Sequence, residues 1–134
     1  MFDPGVRALL EGVNFVHLST LMKDGSPHST VVWGHTRGDQ AIFFTNNPQS
    51  LKGRNIARDP RVALSMIDRD NPYRTGMLRG RVVGTLTGDE ADAIVDAMSH
   101  KYVGRPFPMR GNTVYLIDVA SSRLTELPFE DSPA

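Results

Sequence analysis

Residues 14–35, NFVHLSTLMKDGSPHSTVVWGH, read as a β-hairpin, and this reading sets the fold class. In 14–22, Phe15, His17, Ser19 and Leu21 fall on one face and Val16, Leu18 and Thr20 on the other. That is the period of a strand with at least one buried face. Asp24-Gly25 is a strong two-residue turn signal, and PHSTVVWGH, 27–35, is the return strand. TRGD, 36–39, reads as a second turn and QAIFFTN, 40–46, as a third strand. Consecutive strands joined by tight turns give an antiparallel meander.

Outward from this meander, the pattern changes twice to a helical one. Upstream, GVRALLEG, 5–12, fits a short first helix. Downstream, Asn47-Pro48 resembles a helix cap followed by proline at the first position, predicting a helix from Pro48 to about Arg58. Asp59-Pro60 ends it, because a residue before proline avoids helical geometry. RVALSMID, 61–68, is a fourth strand, RDNPY, 69–73, a loop, and RTGMLRGRVVGTLT, 74–87, a long fifth strand. Its Gly76, Gly80 and Gly84 suggest bulges that let a sheet curl. Thr87 to Glu90 fits a capping box, and Ala91, Ile94, Val95, Met98 and Tyr102 mark the apolar stripe of a helix of about four turns. GRPFPMRGN, 104–112, is a loop by composition, TVYLIDVA, 113–120, a sixth strand, and RLTELPF, 123–129, a short strand or extended tail. The expectation is one mainly β domain over 1–134, with about six antiparallel strands and two or three helices. Closure into a barrel would remove exposed strand edges.

Bulk properties narrow the function classes. With 15 Lys+Arg against 15 Asp+Glu the net charge is zero, which argues against a dedicated nucleic-acid binder but leaves room for a local anion site. No cysteine is present, so disulfides, thiol nucleophiles and thiolate metal sites are excluded. No apolar run approaches the roughly 18 residues of a membrane span, and MFDPGVRALLEG does not read as a signal peptide, so a cytoplasmic protein off the membrane is expected. His17, His28, His35 and His100 lack metal-ligand spacing, so no metal is expected. Neither a nucleophile elbow nor a glycine-rich phosphate loop occurs.

What stands out is SLKGRNIARDPRVALS, 50–65, with Lys52, Arg54, Arg58 and Arg61 within ten residues. On a helix, Lys52, Asn55 and Arg58 share one side, Arg54 lies about 200° from Lys52, and Leu51, Ile56 and Ala57 supply the buried side. Spacing alone leaves two readings open: a solvated amphipathic helix, or a helix whose Lys52 and Asn55 hold an anion beyond the end of FFTN. Arg58 and Arg61 read as surface residues or partners of Asp59.

The ordered set DGSPHSTVVW, IFFTNNPQSLKGRNIARDPRVALSM and LRGRVVGTLT resembles the pyridoxamine 5′-phosphate oxidase-like flavin-binding superfamily, over about Asn14 to Val119. The resemblance implies a six-stranded split β-barrel, a homodimer, and a cofactor at the subunit interface. FMN-binding oxidases of this kind read like R-x-V-L-L-K on the second strand and S-R-K after the third. Here Thr30, His35 and Leu51 stand where cations of those motifs would be, and Lys52 alone is kept. Charge-assisted bonds being the strong ones, such losses weaken a phosphate clamp.

The chain's pattern is more similar to the actinobacterial branch that uses the deazaflavin coenzyme F420. That similarity implies Lys52 and Asn55 in the phosphate region, with Arg54 and Arg58 as lesser candidates toward an acidic tail. It implies His28, Ser29, Thr30, Val31, Val32 and Trp33 along the ring, and polar contacts from Thr45, Asn46, Asn47 and Ser50. It turns Tyr73, Arg74 and Met77 toward the neighbouring subunit's cofactor, and Tyr102, Arg105, Phe107 and Met109 toward a small organic acceptor that no residue identifies. The implied activity is hydride transfer between reduced coenzyme F420 and that acceptor. FMN-binding oxidase or reductase activity, a non-catalytic deazaflavin carrier or sensor, and a heme-handling relative are the alternatives.

Overall fold

In a computed structural model, described for residues 2–129, six antiparallel strands close into a barrel in the order β1-β2-β3-β6-β5-β4. They are β1 (Phe15–Leu21), β2 (Pro27–Arg37), β3 (Gln40–Thr45), β4 (Arg61–Asp68), β5 (Asn71–Leu86) and β6 (Thr113–Glu126). Helices α1 (Pro4–Glu11), α2 (Leu51–Arg58) and α3 (Gly88–Val103) complete it. Met1 and residues 130–134, which the expectation of one domain over 1–134 includes, lie outside the described residues.

The meander folds as its alternation dictates. In β1, Val16, Leu18 and Thr20 are buried while Phe15 and His17 stay exposed, so only one face enters the core. That core fills the barrel with Phe43, Leu64, Leu78, Tyr115 and Ile117, among others. One end is plugged by Val6, Leu9 and Leu10 of α1, whose start is capped by Asp3 accepting from Gly5 N and Val6 N. A second core lies outside the barrel, where α3 lays Ala91, Val95 and Met98 over Ile42 of β3 and Val114 of β6.

Several boundaries differ from expectation, each for a local reason. Thr36 and Arg37 pair with Ala41 and Gln40, so β2 runs to Arg37 and the turn is Gly38-Asp39, with Gly38 at φ +59°. Helix α2 begins at Leu51, not Pro48. Asn47 Oδ1 accepts from Gln49 N at 3.0 Å, making a side-chain turn that precedes the helix, and Ser50 occupies the cap position. Residues 71–73 belong to β5 rather than to a loop. The capping box at Thr87–Glu90 does not form: Thr87 makes no side-chain cap bond, and Gly88 takes a left-handed φ of +70°. Residues 123–126 continue β6 instead of forming a separate element, because they pair with Arg74 to Met77. The expected bulges fall at two of the three glycines: register with β6 shifts at Arg79/Gly80 and at Val82/Gly84, but runs evenly through Gly76. At Gly80, an added Cβ would stand 2.1 Å from the Asp118 carbonyl oxygen, so the two longest paired strands approach closely there.

Candidate functional site

Strand alternation puts Phe15 and Trp33, direct partners across β1 and β2, on the outer barrel surface. With Val31 and Phe44 they border an open groove of about 320 Å³, closed at one end by Lys52 of α2 and on one side by Phe107. Val32, Thr45 and Asn46 complete its lining. A volume of this size falls in the range of small-molecule sites.

The apolar wall is a packed aromatic cluster. Trp33 stacks on Tyr102 at 4.9 Å with 5° between planes, and meets the edge of Phe107 at 6.1 Å. Phe44 and Phe107 meet edge to face at 5.1 Å. Such pairs add to area burial and fix ring positions. The rings are held from behind by α3. Phe107 N donates to Asp96 Oδ1 at 3.1 Å, while Arg110 forms a two-pronged ion pair with the same carboxylate. One turn earlier, Asp92 accepts from Gly111 N, Asn112 N and Asn112 Nδ2, and Asn112 Oδ1 accepts from Asn46 Nδ2. Hydrogen bonds from Asn112 hold the Asp92 carboxyl below the usual carboxylate range, and those from Arg110 do the same for Asp96. Segment 104–112, a loop by composition, is therefore clamped along its second half as a fixed wall.

The polar end is built by the turn into α2. Thr45 Oγ1 donates to Asn47 O and accepts from Asn47 N, folding the chain away from β3. Gly53 lets the turn lie against the helix: an added Cβ would come within 2.1 Å of Pro48 O. Ser50, at the cap position, makes no cap bond, and its Oγ is buried without a partner. Ser50, expected as a polar contact, does not line the groove, which leaves Lys52 as the cationic side chain of its wall.

Expected site residues divide between this groove and elsewhere. Val31, Val32, Trp33, Thr45, Asn46 and Lys52 line it, and Ser29 lies farther along the same outer face. Six consecutive residues of β2 cannot all face one ligand, however. His28 and Thr30 fall on the barrel-facing alternation with Val32, and His28 Nδ1 is buried without a partner. Asn55, expected beside Lys52 at an anion, has 0% exposure. Its amide donates to Thr20 Oγ1 at 3.0 Å and its carbonyl accepts from Arg58, so it anchors α2 to β1. Ala57, expected on the buried side, is exposed. Arg54 and Arg58 lie on exposed surface, Arg54 donating to Gln49 O, and Arg61 is paired with Asp59 at 2.7 Å.

Tyr73, Arg74 and Met77 do not line the groove of their own chain. Arg74 bridges Asp68 and Glu126, Tyr73 packs on Phe129, and Met77 is exposed opposite Ser65. Among the acceptor-side residues, Phe107 lines the groove, Tyr102 stands behind Trp33, and Arg105 and Met109 are exposed. Sequence reasoning missed Phe15 and Phe44. The signal for Phe15 was its alternation with the core residues Val16 and Leu18, which sends a large apolar ring outward.

Comparison with known proteins places this geometry among relatives. Residues 2–125 match the pyridoxamine 5′-phosphate oxidase family. The pyridoxine/pyridoxamine 5′-phosphate oxidase of Cupriavidus pinatubonensis is 31% identical over 97% of this chain. The chain spans about half the length of the curated relatives it matches. A solved F420 reductase superimposes with a TM-score of 0.79 and 28% identity, covering 91% of this chain and 98% of its own. A pyridoxamine 5′-phosphate oxidase-related, FMN-binding protein of Nostoc punctiforme shares the fold at a TM-score of 0.62 and 16% identity, over 87% of this chain and 75% of its own.

Proposed function

The chain belongs to the pyridoxamine 5′-phosphate oxidase family, and from that premise we propose that it is a coenzyme F420-dependent reductase acting on a small organic acceptor. The observation that carries this reading is the charge at the polar end of the groove. Among the described residues, Lys52 is the one Lys or Arg that lines the groove, and Leu51 stands where the FMN-type motif has arginine. The near full-length likeness to an F420 reductase supports it.

The residues present fit such a cofactor. Lys52 would hold its phosphate, and Arg54 and Arg58, exposed on the same short helix, would meet an acidic tail. Val31 and Trp33 would lie along the ring. When bound, the deazaflavin supplies the hydride; the chain supplies orientation and a dry wall. Trp33, Phe44 and Phe107 give one side of the groove an apolar wall that would shield the ring from water.

The same reading includes a second copy of the chain. Phe15, Val31, Ile67 and Met77 are 63%, 54%, 48% and 44% exposed on the outer faces of β1, β2, β4 and β5. An apolar face of this kind bordering the groove suits a partner barrel that would complete the site.

Fluorescence titration with oxidised coenzyme F420 and with FMN tests the cofactor assignment. Saturable binding of the deazaflavin, weakened by Lys52→Ala, is expected. Tight FMN binding with no deazaflavin binding overturns the proposal. Binding without turnover on a panel of unsaturated acceptors points to a carrier. Sedimentation of Val31→Glu tests the pairing, which predicts a dimer for the parent chain and a monomer for the variant.

A further inference from the structure

A cleft separate from the groove lies between α3 and the β2–β3 hairpin. It has a volume of about 210 Å³ and shares no lining residue with the groove. Its walls are Ile42, Ile94, Ala97 and Met98, and at its polar end are His35 and Lys101.

The Lys101 ammonium is half-buried at the cleft wall. Nζ donates to Gly34 O at 2.6 Å and Leu10 O at 3.0 Å, and lies 4.5 Å from the Tyr102 ring centre. No carboxylate stands within 4.0 Å of it among the described residues; Glu11 acts only at longer range. Glu11 is instead committed to Thr36 Oγ1 at 2.6 Å and to Arg7 at 3.4 Å. Arg37, at the mouth, faces Glu90 at 3.7 Å. The cleft thus contains a desolvated cation with neutral acceptors and no anion, an arrangement that an incoming anion relieves.

His35 adds a second donor. Its Nδ1 lies 3.1 Å from Lys101 Nζ. An ammonium can only donate, so Nδ1 accepts and the neutral ring carries its proton on Nε2. The polar end then offers a positive charge and an N–H donor beside four apolar side chains.

We propose that this cleft is a second binding site, for a small organic carboxylate with an apolar body. The carboxylate accepts from His35 Nε2 and sits in the field of the Lys101 charge, whose three N–H groups are taken by Gly34 O, Leu10 O and His35 Nδ1, and the body lies along Ile42, Ile94 and Met98. Ala97, exposed on α3, leaves the space the body fills. This site does not depend on which cofactor the groove takes.

Isothermal titration of the intact chain with phenylacetate, 4-methylpentanoate and the neutral isostere phenylacetamide tests it. Carboxylate binding about tenfold or more tighter than amide binding is expected, the preference of a charge-assisted contact. Lys101→Met should remove that preference. Ala97→Leu, which fills the cleft from an exposed helical position, should block all three ligands while leaving groove cofactor binding and far-ultraviolet circular dichroism unchanged. Equal affinity for acid and amide, no binding of either acid at millimolar concentration, or full affinity in Ala97→Leu overturns the proposal. So does loss of binding in Lys52→Ala, which would put the anion in the groove instead. If Lys101→Met does not fold, the Ala97→Leu comparison and backbone amide shifts at His35 and Ala97 on titration decide; absence of both overturns the site.

Discussion

The Trp33 indole and the Tyr102 ring are parallel, with centroids 4.9 Å apart, and the Tyr102 hydroxyl donates to Asn14 O at 2.6 Å while accepting from Gly34 N at 3.2 Å. The groove wall is therefore tied through one side chain to α3 and to the start of β1. Trp33 is the chain's only tryptophan, so its fluorescence reports this wall directly. Tyr102→Phe keeps the stack and orphans two partners, costing about 1–2 kcal/mol. Tyr102→Ala removes the stack as well and costs about 3 kcal/mol or more. Urea unfolding measures both, and only Tyr102→Ala should shift the native Trp33 emission to the red.

Lys52 and Asn55 were grouped by helical spacing, and the fold separates them. Asn55→Ala removes a fully buried amide bonded to Thr20 and Arg58. It should lower stability by about 1–3 kcal/mol, with any loss of affinity following from a disturbed α2. Lys52→Ala should leave the unfolding free energy from urea titration within about 0.5 kcal/mol of the parent. It should weaken cofactor binding about tenfold to a hundredfold, the range of a lost charge-assisted contact. Paired unfolding and titration curves for the two variants check this; equal loss of stability in both would refute the division of roles.

At Gly53, a side chain meets backbone rather than a flexible neighbour. A Cβ there would lie 2.1 Å from Pro48 O and 2.7 Å from Pro48 C. Alanine is otherwise the better helix former by about 1 kcal/mol, so propensity alone predicts that Gly53→Ala stabilises. The contact predicts the reverse, a loss of about 1–3 kcal/mol as the 47–50 turn is pushed off α2. Thermal unfolding distinguishes the two signs.

The barrel was legible because β1, β2, β4 and β5 carry a period of two with only one buried face, as in Val16, Leu18 and Thr20. The outward placement of Val31 and Trp33 along the groove follows from the same alternation, whereas Lys52, on α2, was singled out by the basic run and the motif alone. What escaped were facts of three-dimensional closure. Helical spacing put Asn55 beside Lys52, but β1 passes under that turn and supplies Thr20 as a buried partner. A contiguous motif suggested that His28 to Trp33 all face a ring, whereas the pleat sends His28 and Thr30 inward. The clamp of Asp92 and Asp96 on segment 107–112 joins residues 11 to 20 positions apart with no repeating pattern to announce it. Lys101, in an ordinary helical last turn, gave no sign that Gly34 and Leu10 carbonyls would close on it.

Lys101 also makes the stability of the fold depend on pH in an unusual direction. Burial pushes its ammonium down to about 8 from the ordinary 10.5, with Glu11 opposing at longer range. Below pH 8, folded and unfolded chains both carry the proton, and the full burial cost is present. Between about 8 and 10.5 the unfolded chain binds more protons at this site, so its contribution to stability rises with pH. Tyr102 and Tyr115, raised by burial, act in the opposite sense as pH passes 10. Arg7 and His35, the other charged or titratable groups acting near Nζ, do not change charge in the 8–10 window: arginine stays protonated, and burial followed by the Lys101 charge pushes His35 below its ordinary 6.5. The difference in unfolding free energy between the parent chain and Lys101→Met isolates the lysine from the tyrosines. It should grow in favour of the parent from about pH 8 to 9.5. A flat difference over that interval would mean that the ammonium titrates as it does in water, and that the Gly34 and Leu10 carbonyls compensate its burial fully.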